Sequence, residues 1–234
     1  MKPVLILQNM SFDGPAYLAH WLQASGRRFE VRNAGAGESF PADLDGYCAM
    51  AVLGGAMSAN DPLPSLRQAE RLILQAVDRG VPTVGHCLGG QLMARALGAR
   101  VVASPAPEIG WQPWAAADSP AAAAWFGAAP PAQVFQWHYE AFELPPGAQA
   151  LAGSAACPLQ AFALGPHLAM QFHVEVDADK LGGWTAVEDA DHLEALAAHA
   201  SVQTFEQMHA QAAQRLPAQH ALARSVYARW LSFA

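Results

Sequence analysis

Cys87 stands in a sequence setting that favours a reactive thiol. A short, apolar, β-branched run precedes it and ends at Gly85, and Gly89 follows two residues after it. A Gly-x-nucleophile-x-Gly spacing is typical of a sharp strand-to-helix turn, in which flanking residues without a Cβ make room for the nucleophile. The pattern from Leu88 to Leu97 is helical, so this helix would direct N–H groups and a positive dipole end towards a thiolate. Lone cysteines are more often buried structural residues, but this setting predicts a nucleophile.

His173 and Glu175 form a second chemically suggestive pair. They stand two residues apart at the end of an apolar segment, and in an extended chain such residues point to the same face. A carboxylate beside an imidazole holds its tautomer and stabilises its cation. Together with Cys87, the pair predicts a Cys-His-Glu triad, whose chain order differs from the Ser, Asp, His order of α/β-hydrolases. His86 neighbours the nucleophile, but we expect it to point away and to pack.

The composition limits the classes of protein that fit. The 234 residues are enough for one large α/β domain with a substantial core, and 53% hydrophobic and 14% charged residues are typical of a globular protein. A net charge of −7 and only two lysines, Lys2 and Lys180, disfavour binding to nucleic acid. No apolar run is long enough to span a membrane, and the N-terminus lacks the pattern of a signal peptide. Three cysteines, one of them a predicted nucleophile, favour a reducing compartment, so we expect a cytoplasmic protein.

Strand-like and helical runs alternate through the first 100 residues, which predicts a parallel sheet with helices on both faces. Ser65–Arg79 is one such helix, with a capping box formed by Ser65 and Gln68. After Gly98 the strands become short and closely spaced, and Ala115–Pro131 has the composition of a short helix with loops. The strand predictions are Pro3–Gln8, Phe29–Arg32, Tyr47–Leu53, Val81–Val84, Val101–Val102, Gln133–Trp137, Gln149–Ala152, Gln160–Ala163 and Leu168–Phe172.

Residues 188–234 are predicted to be a helical C-terminal extension packed on the single domain 1–234. Two helices, Ser201–Arg215 and Ala218–Phe233, are expected to be broken at Pro217. The extension would either complete the core or form a surface for a partner chain or a second copy. It holds several histidines and the acidic run 188–192, but no compact ligand spacing, so we expect no metal site. These histidines are His192, His199, His209 and His220.

Five short runs resemble class I, triad-type glutamine amidotransferases, in particular the glutaminase part of GMP synthase and its stand-alone relatives. The nucleophile run and the Gln-Phe-His-x-Glu run are the specific ones. Val174 departs from the proline of many members, and Trp137 and Tyr139 are larger than their counterparts in GMP synthase. The runs occur in the family's order between residues 50 and 176: Leu53-Gly-Gly-Ala-Met57, Gly85-His-Cys-Leu-Gly-Gly-Gln91, Glu108-Ile-Gly-Trp111, Gln136-Trp-His-Tyr-Glu140 with Leu144-Pro-Pro-Gly147, and Gln171-Phe-His-Val-Glu175.

The resemblance implies a flavodoxin-like parallel sheet with a nucleophile elbow and a small extra region of antiparallel strands. It also implies that Cys87, His173 and Glu175 are catalytic and that the backbone N–H groups of Gly55 and Leu88 bind the oxyanion. Glu108 and Trp111 are weaker candidates near the pocket. The residues expected to bind the substrate are Gly54, Gln91, Trp137, His138 and Tyr139.

Hydrolysis of glutamine to glutamate and ammonia, with no cofactor, is the activity that the resemblance implies. The ammonia would pass to a partner synthetase chain or another acceptor, because this chain has no Gly-rich ATP loop. A homodimer is a further assembly left open. A stand-alone γ-glutamyl hydrolase or peptidase would use the same thioester chemistry, and a non-catalytic relative would use the fold only for binding.

Overall fold

The computed structural model describes residues 2–187, 196 and 198–234. The acidic run 188–192, His192 and the start of the predicted C-terminal extension therefore lie outside the described residues. Within the described ranges, no helix is both long enough and apolar enough to cross a membrane.

An eight-stranded sheet forms the centre of the protein, in the order β2-β1-β3-β4-β10-β9-β8-β6. The strands from β2 to β10 in this order pair in parallel, and β9, β8 and β6 continue the sheet in antiparallel fashion. These strands are β1 (Val4–Gln8), β2 (Phe29–Asn33), β3 (Ala49–Val52), β4 (Thr83–His86), β6 (Ala115–Ala116), β8 (Gln149–Gly153), β9 (Ala161–Leu164) and β10 (His167–Met170).

Helices cover both faces of this sheet, which confirms the predicted fold class. One apolar core lies between the sheet and α1, α4 and α6, and a second lies between the sheet and α2 and α3. The helices are α1 (Tyr17–Ala24), α2 (Pro64–Arg79), α3 (Leu88–Ala96), α4 (Pro120–Phe126), α5 (Ala178–Val187) and α6 (Phe205–Leu231). The strands β1, β3, β4 and β10 are fully buried, as expected for parallel strands covered on both sides, and β1 and β3 consist mainly of aliphatic residues.

A separate two-stranded antiparallel sheet lies beside the central sheet, and its strands are longer than the sequence pattern predicts. These strands are β5 (Val101–Pro113) and β7 (Gln133–Phe142), and their register shifts between Ala103 and Glu108. A third apolar cluster packs this small sheet against α5 and the first turns of α6. The irregular segment interrupts the apolar alternation of β5, and this explains why the pattern predicts only its first two residues as a strand.

Two predictions about helices were wrong. No helix break occurs at Pro217, because α6 runs through it as one 27-residue helix. Pro217 is exposed, whereas Leu222, Val226 and Trp230 on the same helix are buried, so packing outweighs the cost of the missing N–H. Ser65 does not cap α2, since this helix begins at Pro64 after Leu63 without any side-chain cap. Proline suits the first helical position because the missing N–H would have had no helical partner there.

Candidate active site

Cys87 lies in the sharp turn that the sequence predicted. It follows β4 directly and precedes α3, with φ +48° and ψ −109°, a left-handed conformation that non-glycine residues rarely adopt. The turn is tightly enclosed, because a Cβ on Gly89 would lie 2.0 Å from the Val52 carbonyl oxygen. A Cβ on Gly85 would lie 2.6 Å from the carbonyl carbon of Gly89. Both glycines are therefore required by close backbone contact, and this contact holds the strained turn in place.

His173 and Glu175 lie in the segment after β10, and their side chains are in contact. The His173 Nδ1 and Glu175 Oε1 atoms are 2.7 Å apart, and both side chains are buried. Burial by itself would lower the pKa of His173, but attraction to Glu175 and then to the Cys87 sulfur raises it to about 10. Burial would raise the pKa of Glu175, but the positive charge of His173 holds it well below its usual range. The pair therefore favours imidazolium and carboxylate.

The Cys87 and His173 side chains lie side by side, and Gly54 packs against both of them. A Cβ on Gly54 would lie 3.2 Å from His173 Cε1 and 3.8 Å from the Cys87 Cβ, so a side chain at this position would crowd the pair. Because Nδ1 of His173 is bonded to Glu175, Nε2 is the ring nitrogen left for the sulfur. The structure thus brings together the three residues that the sequence singled out.

Gln171 contacts the cysteine and was missed as a site residue. Its Nε2 lies 3.6 Å from the Cys87 sulfur, and the sulfur is also 3.6 Å from the Trp137 carbonyl oxygen. Gln171 belongs to the Gln-Phe-His-x-Glu run, so its position two residues before His173 was visible in the sequence. The expected strand Leu168–Phe172 would have placed Gln171 and His173 on one face, and that spacing could have identified Gln171, although the structure ends β10 at Met170 and bends the chain at residues 171 and 172.

A cleft of about 450 Å³ opens in front of Cys87. It lies at the carboxyl ends of the parallel strands, where ligands commonly bind in open α/β sheets. The predicted residues that line it are Gly55, Cys87, Gln91, Trp137, His138, Tyr139 and His173. Sequence reasoning missed the lining residues Met10, Phe12, Asp13, Ala56, Met57, Ser58, Glu140, Trp184 and Val187. Gly54 lies against His173 and Leu88 lies at the start of α3, rather than in the lining itself.

Gly55 and Leu88, the predicted oxyanion donors, are neighbours. A Cβ on Gly55 would lie 2.9 Å from Leu88 Cδ2 and 2.6 Å from the Met57 sulfur. Leu88 is the first residue of α3, and the N–H groups of a first helical turn have no partner within the helix. The binding of an oxyanion by these two N–H groups stays a prediction.

Gln91 is buried rather than exposed to solvent. Its Nε2 donates to the Glu140 carbonyl oxygen at 3.0 Å and lies 3.4 Å from Gln171 Oε1. The contacts connect α3, β7 and the segment after β10 around the cleft. They fix the Gln91 side chain, since an amide bonded at two sites has little rotamer freedom left.

His86 points away from the cleft, as expected for the residue beside an elbow nucleophile. It is fully buried, and its Nε2 lies 3.2 Å from the Tyr227 hydroxyl and 3.9 Å from Glu175 Oε2. Burial lowers the pKa of His86. A neutral imidazole at this position packs against the far side of the Glu175 carboxylate.

Glu108, His138 and Cys157 form a buried cluster whose ligand atoms all lie within 4.8 Å of one another, so they are the described residues that could hold a metal. The His138 Nε2 lies 3.2 Å from Glu108 Oε2, and Gln160 donates to the same oxygen. Burial raises the pKa of the Cys157 thiol to about 11, which favours the protonated form. The existing contacts account for the cluster as a hydrogen-bonded group that orients His138 at the cleft.

The histidines of the C-terminal region that are described do not gather around one point. His209 Nε2 lies 2.9 Å from the Thr185 hydroxyl. The His220 ring stacks on Tyr17 with centroids 3.7 Å apart. Trp111, a weaker candidate for the pocket, is buried in the third core, where its indole N–H donates to the Met208 carbonyl oxygen at 3.1 Å.

The fold and the site define an α/β protein with a cysteine in a nucleophile elbow and a histidine–carboxylate pair beside it. A sequence model of the family described as glutamine amidotransferase class-I matches residues 17–183. The glutamine amidotransferase-like protein YfeJ of Salmonella typhimurium is 31% identical over 182 residues, which cover 74% of this chain and 75% of that protein. A subunit of the glutamine-hydrolysing GMP synthase of Thermoplasma acidophilum is 31% identical over 145 residues, which cover 60% of this chain and 69% of that one.

A crystal structure of a glutamine amidotransferase from Methylobacillus flagellatus has the same fold over the whole chain. The superposition covers 100% of this chain and 95% of the Methylobacillus flagellatus chain, with a TM-score of 0.95 and 34% sequence identity. The chain therefore belongs to the class I glutamine amidotransferase family. Membership confirms the resemblance read from the sequence and indicates an amide-hydrolysing enzyme.

Proposed function

We propose that this protein is a glutaminase that releases ammonia from the side-chain amide of glutamine through a thioester on Cys87. The observation that carries the proposal is the arrangement of three side chains at the cleft. The Cys87 thiol lies at a positive-φ turn beside His173, and His173 Nδ1 lies 2.7 Å from Glu175 Oε1. A nucleophile, a base and a residue that orients the base are the components that covalent acyl transfer requires.

In the first half-reaction the Cys87 thiolate attacks the side-chain carbonyl carbon and forms a C–S bond. The carbonyl π electrons move to oxygen, where the N–H groups of Gly55 and Leu88 would stabilise the negative charge. Losing one such donor typically costs about 100-fold in rate. The C–N bond then breaks, and His173 Nε2 gives its proton to the departing ammonia while Glu175 retains the imidazole orientation.

In the second half-reaction water attacks the thioester. His173 accepts a proton from this water, the C–S bond breaks, and the regenerated Cys87 thiolate remains paired with the imidazolium. The new carboxylic acid then gives its proton to the released ammonia, so the net reaction converts glutamine and water to glutamate and ammonium.

Substrate binding would use the walls of the cleft. Gln91, Trp137, His138 and Tyr139 line it as expected for the proposed binding residues. Glu140 adds a carboxylate, which accepts a hydrogen bond from the Ser58 hydroxyl at 3.0 Å and faces the same cleft. An anionic group of this kind suits the α-ammonium group of an amino acid, because the charges are complementary.

A partner synthetase would consume the ammonia. The relative from Thermoplasma acidophilum is named as one subunit of a GMP synthase, which supports a separate partner chain for this protein as well. A homodimer stays a second prediction about assembly.

Hydrolysis of a γ-glutamyl amide of a larger amine is the second candidate function. The cleft volume of about 450 Å³ lies in the range of pockets for drug-sized ligands, which are larger than glutamine. Phe12 and Tyr139 line the cleft and remain exposed, so an apolar amine would find contact surface beside Cys87. The same thioester mechanism would apply, with the amine leaving in place of ammonia.

The test compares glutamate release from glutamine and from a panel of γ-glutamyl amides by wild type, Cys87→Ala and Cys48→Ala. Cys48 is a free, half-buried cysteine outside the cleft, so Cys48→Ala is the matched control and should retain activity. Glutamine turnover that disappears only in Cys87→Ala supports the glutaminase. Turnover restricted to larger γ-glutamyl amides supports the second function. Turnover unaffected by Cys87→Ala contradicts both.

A further inference from the structure

Lys180, near the start of α5, carries a buried ammonium group behind the candidate site. Its Nζ forms an ion pair with Asp13, donates to the Gly14 carbonyl oxygen at 2.7 Å and lies 3.7 Å from Glu175 Oε1. Only 3% of the side chain is exposed. Desolvating an ammonium group is costly unless carboxylates and hydrogen-bond acceptors compensate for the lost water. Lys180 thus joins the loop after β1 to the segment after β10 that carries Glu175.

Asp13 is connected to His173 through two intermediate residues, Trp184 and Gly54. Its Oδ1 accepts a hydrogen bond from the Trp184 indole N–H at 3.1 Å, and the Trp184 ring meets the His173 ring edge-on with centroids 4.8 Å apart. Its Oδ2 lies 3.5 Å from the position of a Cβ on Gly54, the residue that packs against both His173 and Cys87. The ion pair therefore belongs to the wall that surrounds the imidazole.

The groups facing Glu175 come from four elements. His173 lies on the same segment, Lys180 on α5, His86 at the end of β4 and Tyr227 on α6. Burial lowers the pKa of His86 and raises that of the Tyr227 hydroxyl, so both favour their neutral forms. Lys180 and His173 are therefore the cations that face this carboxylate within the described part of the chain.

Groups of opposite charge follow one another from His173 to Glu175, Lys180 and Asp13, and Asp13 itself returns to the wall of the cleft beside Cys87 and His173. We propose that Lys180, held by Asp13, is a positioning residue that fixes Glu175 and sets the pH range in which Cys87 and His173 form a thiolate–imidazolium pair. The catalytic meaning of this pair rests on the proposed function. The cation stabilises the thiolate and opposes an excess of negative charge around His173.

Removing the positive charge of Lys180 and removing the negative charge of Asp13 should shift the pH midpoint of Cys87 thiolate formation in opposite directions. Lys180→Met takes away a positive charge and leaves Asp13 unpaired, so loss of the Cys87 proton becomes harder. Asp13→Asn takes away a negative charge and leaves Lys180 less compensated, so loss of that proton becomes easier. The expected shifts of the pH midpoint are about 0.5–1 unit, upward for Lys180→Met and downward for Asp13→Asn, since the charges act through intermediate groups.

The measurement is the rate of alkylation by iodoacetamide between pH 5 and 10, followed by mass spectrometry of the peptide containing Cys87. Cys48 in the same samples is the internal reference, and its midpoint should not move. Lys180→Arg keeps the charge and should retain the wild-type midpoint. The double variant Lys180→Met/Asp13→Asn removes both charges and should have a midpoint above that of Asp13→Asn. If Lys180→Met fails to fold, this difference replaces it, and equal midpoints of the double variant and Asp13→Asn would overturn the proposal.

The two single variants decide the proposal. Opposite shifts support it, whereas an unchanged midpoint or shifts in the same direction in folded protein would overturn it. Alkylation requires no substrate, so opposite shifts in a protein that turns over neither glutamine nor γ-glutamyl amides would refute the proposed reaction and leave the charge coupling standing. A merely structural role would lower kcat without moving the midpoint.

Discussion

Glu175→Gln is the substitution that tests the proposed triad most directly. The glutamine keeps the size of the side chain but cannot carry the negative charge that lies 2.7 Å from His173 Nδ1. Glu175 is fully buried, so no water replaces the lost charge. The pKa of His173, about 10 in the wild type, should fall in the variant because attraction to Glu175 is the largest influence raising it.

The magnitude follows from the burial of the pair. Removing one partner of a buried ion pair typically costs about 3–5 kcal/mol. We expect this loss of stabilisation to raise the energy of the catalytic states in which His173 is protonated. Since about 1.4 kcal/mol corresponds to a tenfold change in rate, kcat should fall by about 10² to 10⁴. The effect on KM should be small, since Glu175 lies behind His173 and does not line the cleft.

Steady-state release of glutamate from glutamine, measured from pH 6 to 10, provides the assay. Glu143→Gln is the matched control, because Glu143 is an exposed carboxylate paired with Arg100 on the surface, and it should leave kcat unchanged. Circular dichroism would establish that both variants are folded. A Glu175→Gln enzyme that is folded and retains kcat within tenfold of wild type would show that Glu175 does not assist His173.

Three further outcomes are expected. Gly54→Ala should lower kcat at least tenfold, because the new Cβ would lie 3.2 Å from His173 Cε1, whereas Gly14→Ala, with no atom within 4 Å of the new Cβ, should be close to neutral; kinetics on both variants check this. Burial lowers the pKa of His167 to about 4, so the unfolded chain binds its proton first as the pH falls. Stability should therefore decline between pH 6.5 and 4, by up to about 3 kcal/mol, and urea unfolding of His167→Gln should show a shallower decline. Pro217→Ala should raise the free energy of unfolding by about 1–3 kcal/mol through a restored helical hydrogen bond, and an unchanged melting temperature would count against that reasoning.

The nucleophile turn could be predicted from local sequence because its requirements are local. Gly85 and Gly89 flank Cys87 at a spacing that fits one sharp strand-to-helix turn, and backbone crowding at those positions excludes a Cβ. The contact between His173 and Glu175 was expected because two residues of an extended segment share a face. The structure makes this contact at 2.7 Å in a segment of bends and a turn after β10, so closeness in the chain brings the two side chains together and not the period of a strand. Alternation of strands and helices predicted the parallel sheet, and a parallel sheet places the ends of its strands at one edge.

Helix boundaries and strand lengths depended on longer-range packing. Pro217 alone favoured a break, but the apolar face of α6 is buried on both sides of it, and that burial is distributed over residues far apart in the chain. The Ser65 and Gln68 spacing fits a capping box in isolation, yet Pro64 begins the helix. The antiparallel pair of β5 and β7 is held by contacts between residues that are at least 20 positions apart, from Pro113 with Gln133 to Val101 with Phe142, and no local pattern specifies these contacts.

The sequence by itself determined the sharp turn at Cys87, the close approach of His173 and Glu175 and the class of fold, because these features depend on residues that are neighbours in the chain and on the alternation of strands and helices. Only the tertiary structure decided which distant side chains complete the site. Asp13 and Lys180 are separated by more than 160 residues, and nothing near either of them predicts an ion pair beside Glu175. Such a pair depends on how the loop after β1 packs against α5, and this packing is fixed by the whole core rather than by any short segment.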